Sequence, residues 1–340
     1  MNCSLNMPHT VSSNIQSIKL NAPSRLHFGL LPPGHDRRVR RGGLGVMIQA
    51  PCLELHGIPS KKWGVTGSFA PRINQIAAKL LGARERDALP LHIHVAQAPS
   101  PHVGYGTGTQ LAMATAALLE TCTGGVNTPG EKLPNRLGRG SRSLVGSVGF
   151  FQGGLIYDCG MEEIMPPAAE CQTDVSGVRC YAIPAAWRWL TISADGIEGL
   201  SGESEATAFA GVCEDEDRRH RLMRFIENDL LRRVVDDDFA GFSECLYEYG
   251  IRCGELFSPH QSGLFATQKI SEVVEIMRDS GVCGVGQSSW GPTVFALFPD
   301  CISAKKFVTE NGWLGDEGFS STISSTDMEG HKISIQHISS

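Results

Sequence analysis

The chain has 340 residues, more than one hydrophobic core usually serves, so two packed domains are expected. An apolar share of 41% against 19% charged residues excludes a disordered chain, and a net charge of -6 excludes a general nucleic-acid binder. Eleven cysteines, an odd number with no C-x-x-C pair, suggest neither a disulfide framework nor a zinc finger and read as reduced thiols. No apolar run approaches the roughly 18 residues that span a bilayer, and the first residues lack the basic and apolar regions of a signal peptide. The expectation is a cytoplasmic protein with a loose tail over 1–17, no membrane partner and no nucleic-acid partner.

In chain order, "SIKLNAPSRLHFGLL" (17–31) and "GGLGVMIQAPCLELHGI" (42–58) read as strands. "PRINQIAAKLLG" (71–82) has helical spacing, with Pro71 in the first turn and Gly82 as a stop. "LHIHVAQAP" (91–99) alternates like a half-buried strand, and places His92 and His94 on one face. A metal there would need further ligands at matching geometry, and the sequence shows none.

Next comes "PHVGYGTGTQLAMATAALLE" (101–120), a Gly/Thr-rich loop running into a small-residue helix that starts near Gln110 and stops in "TCTGGVNTPG". Gly104, Gly106 and Gly108 allow backbone conformations in which several N–H groups converge on one anion. The helix N-terminus adds its positive end, and Thr107, Thr109 and Gln110 supply polar side chains, so the loop is expected to hold phosphate. It is neither a P-loop nor a Rossmann turn. A glycine turn without a ligand is the alternative. A second Gly-rich stretch, "LGRGSRSLVGSVGFFQGGLIYDCG" (137–160), leads into a strand. With the basic run "HDRRVRRGG" (35–43) it clusters arginines in an otherwise acidic chain. Asp36 and the arginines at 37, 38, 40 and 41 form either a lid over phosphate or a solvated loop.

The second half begins near Pro184. "YAIPAAWRWLTISAD" (181–195) reads as a strand, residues 217–257 as two amphipathic helices, "ISEVVEIMRDSG" (270–281) as a helix and "PTVFALFPD" (292–300) as a strand.

Four segments in this order, "APSRLHFGLL", "PHVGYGTGTQLAMATA", "GRGSRSLVGSVGFFQGGLIYDCG" and "GVGQSSWGPTVFAL", resemble the β-ribofuranosylaminobenzene 5'-phosphate synthase family, a branch of the GHMP superfamily. The resemblance runs from about residue 18 to 300. Tyr105, Gln152 and Cys159 depart from its usual residues. It implies an α+β, two-domain GHMP-type fold, with a ribosomal-protein-S5-domain-2-like N-terminal domain over 18–183 and a ferredoxin-like C-terminal domain over 184–340. It also implies an enzyme of tetrahydromethanopterin biosynthesis that condenses phosphoribosyl pyrophosphate with a para-substituted benzoate, releasing pyrophosphate and CO2. Mg2+ is expected with the pyrophosphate substrate, and no organic cofactor. A homodimer stays open, as does the choice between 4-amino- and 4-hydroxybenzoate.

On this resemblance Arg25 and His27, two apart on one strand face, look into the site. Arg25 would offset charge on the leaving pyrophosphate, and His27 would contact substrate or an acid/base partner. Arg142 and Ser143 would join them as catalytic residues, with Arg139 binding phosphate through its planar fork. No Asp or Glu occurs between Leu133 and Ile156, where the kinases of the superfamily usually place a catalytic acid. Gln287, Ser288 and Ser289 would bind substrate, with Trp290 offering an aromatic face to the benzoate. An exposed strand face, a solvated basic loop and a core Trp are the structural alternatives. An ATP-dependent small-molecule kinase and a non-catalytic sugar-phosphate binder are the functional ones.

Overall fold

The computed structural model describes residues 11–35, 40–124, 133–160, 177–194, 207–208, 210–261, 263–315 and 318–338, with 196 and 199 as isolated positions. Asp36, Arg37 and Arg38 of the expected lid, and residues 1–10 of the expected tail, lie outside them. The elements are β1 (Ile15–Leu30), β2 (Gly43–Pro59), β3 (Gly64–Thr66), α1 (Ala70–Leu81), α2 (Ala83–Ala88), β4 (Leu91–Gln97), α3 (Thr107–Thr123), α4 (Leu133–Leu137), α5 (Val145–Gln152), β5 (Leu155–Asp158), β6 (Val178–Tyr181) and β7 (Arg188–Ala194). They continue as α6 (Glu216–Phe225), which runs through a π-turn over Ile226–Leu230 into α7 (Leu231–Val235), then α8 (Phe239–Phe257), α9 (Gln268–Asp279), β8 (Val285–Gln287), β9 (Thr293–Phe298), α10 (Cys301–Glu310), β10 (Phe319–Ser325) and β11 (Lys332–His337).

Two sheets organise the chain. The first has the order β11-β1-β2-β4-β3, with β5 on β2 and β6 on β5. Strand β2 carries it: one edge pairs antiparallel with β1, while the other is shared by β5 at Gly43–Val46 and β4 at Glu54–Pro59. The second sheet is antiparallel throughout, in the order β10-β7-β9-β8.

Helix α3 is apolar on nearly every side, so it must be covered on every side. It sits in a core with Leu20, Leu55, Ile93, Ile73 and Phe150, contributed by β1, β2, β4, α1 and α5. Its alanines at 112, 114, 116 and 117 let neighbouring backbones approach closely. A second core joins Phe28 of β1 to Trp189, Phe295, Phe242 and Leu246 of the second half. Helices α9 and α10 cover the outer face of the second sheet through Val274, Met277, Ala304 and Phe307.

Three elements depart from the sequence reading. The Gly-rich stretch before β5 contains the buried helix α5, whose alternation of Gly, Ser and Val hides the helical period. Strand β6 passed unnoticed because it is four residues long. The chain does not stay in a C-terminal domain to its end: after β10 it crosses back, and β11 pairs with β1, from Ile15↔His337 to Asn21↔Lys332. That crossing is fastened by Asp327 N–H to Met47 O, by Gly154 N–H to Asp327 O and by the Trp189 indole to Thr326 Oγ1 at 2.9 Å.

Arg219 of α6 locks the second half to the first. It is only 3% exposed, and its guanidinium donates to the carbonyls of Pro32 and Arg41 at 2.8 Å and of Cys159 at 2.5 Å. Replacing it strands three carbonyls in the interior. Arg219→Met is expected to lower the unfolding free energy by about 3 kcal/mol at unchanged denaturant slope. A loss below about 1 kcal/mol in urea titration would show that these bonds add little.

Candidate active site

Strand β1 delivers Arg25 and His27 to the middle of the molecule, opposite Met47 and Gly45 of β2. The imidazole of His27 is 3% exposed, and its Nε2 lies 3.3 Å from Ser143 Oγ. Its main chain is gripped on both sides: N–H donates to Ser288 Oγ at 3.0 Å, and the carbonyl accepts from Ser289 N–H at 2.8 Å. Gly43 is required beside it, since a Cβ there would stand 2.8 Å from His27 Cε1. Burial first, and then the charge of Arg25, hold the imidazole well below its ordinary pKa, so it is neutral near pH 7.

The phosphate loop lies directly against Arg25. Arg25 N–H donates to Tyr105 O, and a Cβ on Gly106 would come within 3.1 Å of Arg25 Nε. Gly106 takes φ +69, and its carbonyl accepts from the N–H groups of Thr109 and Gln110. Helix α3 therefore opens three residues earlier than its composition suggests, with the amides of Thr107 and Gly108 at its open end. The Arg139 guanidinium lies over this end, 3.4 Å from the position a Gly108 Cβ would occupy. Two guanidinium groups thus flank one helix N-terminus, the arrangement an anion needs.

Other loop residues serve the scaffold. Thr107 Oγ1 donates to Ser100 O at 3.2 Å, and Gln110 Nε2 donates to Gly146 O at 2.9 Å from a side chain 1% exposed. Gly104, at φ +109, packs against Ser288. Tyr105 turns its hydroxyl to Thr191 Oγ1 of β7 at 2.9 Å, so this departure from the family pattern ties the loop to the second sheet.

Asp158, at the end of β5, organises the basic loops. It is fully buried and accepts from Arg40 Nε at 2.9 and 3.2 Å, from Leu144 N–H at 2.7 Å and from Gly160 N–H at 2.9 Å. One carboxylate thereby fixes the segment before β2 to the segment holding Arg142 and Ser143. Gly42 N–H donates to Arg142 O and completes the join. The residue type and position of Asp158 are readable, but nothing local announces that Arg40 and Leu144, from two other segments, meet on it beside its near neighbour Gly160. Arg219 left a fainter signal: it shares a helical stripe with Leu222 and Phe225, where an apolar residue is the norm.

The "GQSSWG" segment is mainly architectural. Ser288 is fully buried, and its Oγ donates to Gly104 O at 2.7 Å while accepting from His27 N–H. Gln287 spends both ends of its amide on the chain itself, accepting from Ala266 N–H and donating to Ser289 O at 2.8 Å each. The expected substrate-binding role of these two becomes a positioning one. Ser289 adopts φ +56, which turns the chain toward Trp290. Trp290 is 5% exposed and meets Phe257 edge-on at 4.8 Å. A cavity of about 50 Å³ opens between this segment and α8, lined by His27, Cys253, Phe257, Leu264, Ser289 and Trp290 among others. It holds water-sized molecules, so a larger guest must move a wall, of which Leu264 is 40% exposed. The structure thus groups Arg25, His27, Ser143, Gly106, Gly108 and Arg139 around one cradle, and sets Trp290 on the far side of His27.

Residues 237–310 match the family model described as GHMP kinases C terminal. The β-ribofuranosylphenol 5'-phosphate synthase of Methanothermobacter thermautotrophicus is 27% identical over 294 residues, 82% of this chain and 88% of that protein. The protein of the same description from Archaeoglobus fulgidus is 26% identical over 292 residues, 82% of this chain and 87% of that one. Among solved structures, a homoserine kinase from Cytophaga hutchinsonii superposes with a TM-score of 0.60 at 16% identity, over 95% of this chain and 98% of that chain. A mevalonate pyrophosphate decarboxylase from Streptococcus pyogenes gives 0.62 at 8% identity, over 93% and 98%. Identities this low speak for the fold alone, which is the α+β GHMP fold. Two proteins of one description match this chain over four fifths of its length, so the chain is similar to the β-ribofuranosylphenol 5'-phosphate synthases, and its C-terminal half to the GHMP kinases.

Proposed function

We propose that this chain catalyses decarboxylating phosphoribosyl transfer from phosphoribosyl pyrophosphate to a para-substituted benzoate, a step of tetrahydromethanopterin biosynthesis. The observation that carries the reading is the double duty of His27, which touches Ser143 beside the cationic cradle and also walls the aromatic-lined cavity. A phosphorylated sugar and an aromatic ring bound on its two sides would meet there.

In the reaction the C1–O bond breaks and its electron pair leaves on pyrophosphate. The ring carbon bearing the carboxylate then bonds to C1, its charge spread onto the para oxygen or nitrogen. Loss of CO2 returns the electrons of the carboxyl bond to the ring. The product is a C-riboside 5'-phosphate. Arg25 and Arg139, with the open end of α3, stabilise charge growing on the departing group. A neutral His27 adds no positive charge beside the cationic C1, and its bond with Ser143 fixes that hydroxyl. The relatives' description as ribofuranosylphenol synthases makes 4-hydroxybenzoate the first acceptor to test.

Mg2+ would enter as the complex of the substrate pyrophosphate. Among the described residues no group of three or more His, Cys, Asp or Glu is arranged to hold a metal ion, and Asp158 already accepts from three donor groups. The kinase reading fits less well for a related reason: among the described residues the acid bonded to the segment that follows Arg142 and Ser143 is Asp158, which is buried and already accepts from Leu144 and Arg40, so it is poorly placed to serve a substrate alcohol as base.

Incubation with phosphoribosyl pyrophosphate, Mg2+ and carboxyl-labelled benzoates should release labelled CO2. ATP-dependent phosphorylation of a small alcohol without label release would return the kinase to first place. Arg25→Lys keeps the charge but loses the fork, and is expected to lower kcat on the order of 10²-fold with little change in substrate affinity. Near-normal turnover of the folded fraction would make Arg25 structural. The depressed pKa of His27 has a definite sign: below the unfolded value of about 6.5 the unfolded chain gains a proton that the native one refuses. Its contribution to stability is therefore present above that pH and lost as pH falls. His27→Gln should lose less stability than the wild type between pH 7.5 and 5.5 in denaturant titrations. Equal losses would place the imidazole in a solvated, ordinary environment.

A further inference from the structure

His27 reaches both sides of the centre, and its two ring nitrogens face different partners. Nε2 lies 3.3 Å from Ser143 Oγ, and that oxygen already accepts from Val145 N–H at 3.2 Å. Among the described residues the Ser143 hydroxyl has no other acceptor, so the arrangement that satisfies every group has it donating to Nε2. The ring proton then sits on Nδ1. Gly43 closes on Cε1, and Ser288 and Ser289 grip the main chain, so the ring is held in one orientation. Nδ1 has no partner among the described residues, while the ring lines the cavity beside α8.

That cavity is uncharged. No Asp, Glu, Lys or Arg is among the described residues that line it, and burial keeps His27 itself neutral. Two of its polar side chains are committed elsewhere: Gln287 donates to Ser289 O, and Gln261 donates to the carbonyls of Gly263 and Leu264 at 3.0 Å each. The Ser289 hydroxyl has no bond among the described residues, and the bond from Ser289 N–H to His27 O keeps it next to the imidazole. One stretch of the wall therefore offers two neutral donors, His27 Nδ1–H and Ser289 O–H, while Cys253, Phe257, Leu264 and Trp290 supply apolar surface. A carboxylate accepts hydrogen bonds and gives none, so paired donors suit it.

We propose that His27 Nδ1–H, with the Ser289 hydroxyl beside it, anchors the carboxylate of the aromatic acceptor, so that the ring lies with its carboxyl end at His27 and its para end among Phe257, Leu264 and Trp290. The identity of the acceptor rests on the phosphoribosyl-transfer reading, whereas the tautomer and the pair of donors do not. An uncharged anchor suits a group that must leave as CO2. As the carbon–carboxyl bond breaks, its electron pair passes to the ring and the charge on the carboxylate vanishes. A cationic partner would hold the reactant more tightly than the transition state and slow that step. Neutral donors place the group with less of this penalty. The carbon that bears the carboxyl then stands on the His27 side of the cavity, toward Ser143 and the cradle, where C1 of the sugar must meet it.

Two-bond proton–nitrogen spectra of the full chain with nitrogen-labelled histidine, assigned by comparison with His27→Gln, should show the His27 proton on Nδ1. A proton on Nε2 would overturn the proposal. Calorimetry then compares 4-hydroxybenzoate with p-cresol, which carries a methyl group in place of the carboxylate. In His27→Gln the amide falls at the place of Nε2, so the ratio of the two affinities should drop by about tenfold or more against the acid, with p-cresol changed by less than about twofold. In His27→Asn the amide nitrogen takes the place of Nδ1, and the ratio should stay within about threefold of the wild type. Parallel losses of both ligands, the mark of an imidazole that only supports the fold, or no binding of the acid to the wild type, would remove the anchor. If the ratio follows Nδ1 as expected but labelled benzoate releases no CO2, the anchor stands and the synthase reading falls.

Discussion

One hydroxyl sets the geometry of the centre. Ser288 Oγ accepts from the main chain of His27 and donates to the carbonyl of Gly104, and it does so from a fully buried position in the second half of the chain. Both partners belong to the first half: one carries the imidazole, the other begins the phosphate loop. In water such a bond contributes little, but here its loss would leave a donor and an acceptor buried without partners, so the arrangement is strongly specified. The neighbouring bond from Ser289 N–H to His27 O repeats the constraint, and Tyr105 ties the same loop to β7. The cleft is therefore shaped by the contact between the two halves.

The charge plan follows from the same compactness. The chain is acidic overall, yet its arginines converge where backbone amides and a helix N-terminus already favour anions. Asp158 makes this tolerable by neutralising Arg40 and ordering the loop that carries Arg142. Burial then keeps His27 neutral, so the centre combines fixed positive charge at its rims with an uncharged imidazole at its middle. This distribution suits a reaction in which anionic groups must be held apart from a carbon that becomes cationic.

Homoserine kinase and mevalonate pyrophosphate decarboxylase share this fold, so the fold does not choose the chemistry. The choice lies in the loop before β5. Without an acid of its own, that loop presents arginines and a serine, and the acid that follows it in β5 is spent on holding the loop in place. A glycine cradle that in a kinase would face a nucleotide is free to take another phosphorylated substrate.

Much of this was legible before any coordinates. The long strands, α1, α3 and α8 follow from periodicity, which reports the face of an element that meets a core, and the α+β class follows from the family resemblance. The glycines of the loop could be singled out because glycine takes positive φ at least cost, as Gly106 does beside Arg25 at φ +69, and Arg25 with His27 because alternation puts them on one strand face. The sequence alone thus determined where the long helices and strands lie, which loop suits an anion and which stretch lacks an acid. Tertiary structure alone decided that Ser288 and Gln287 position other groups, that Trp290 packs on Phe257, that β11 returns to β1, that Arg219 binds three remote carbonyls and that Asp158 joins Arg40 to Leu144. Such bonds join residues more than a hundred positions apart as well as near ones, and a buried partner leaves no period or motif in the chain that supplies it.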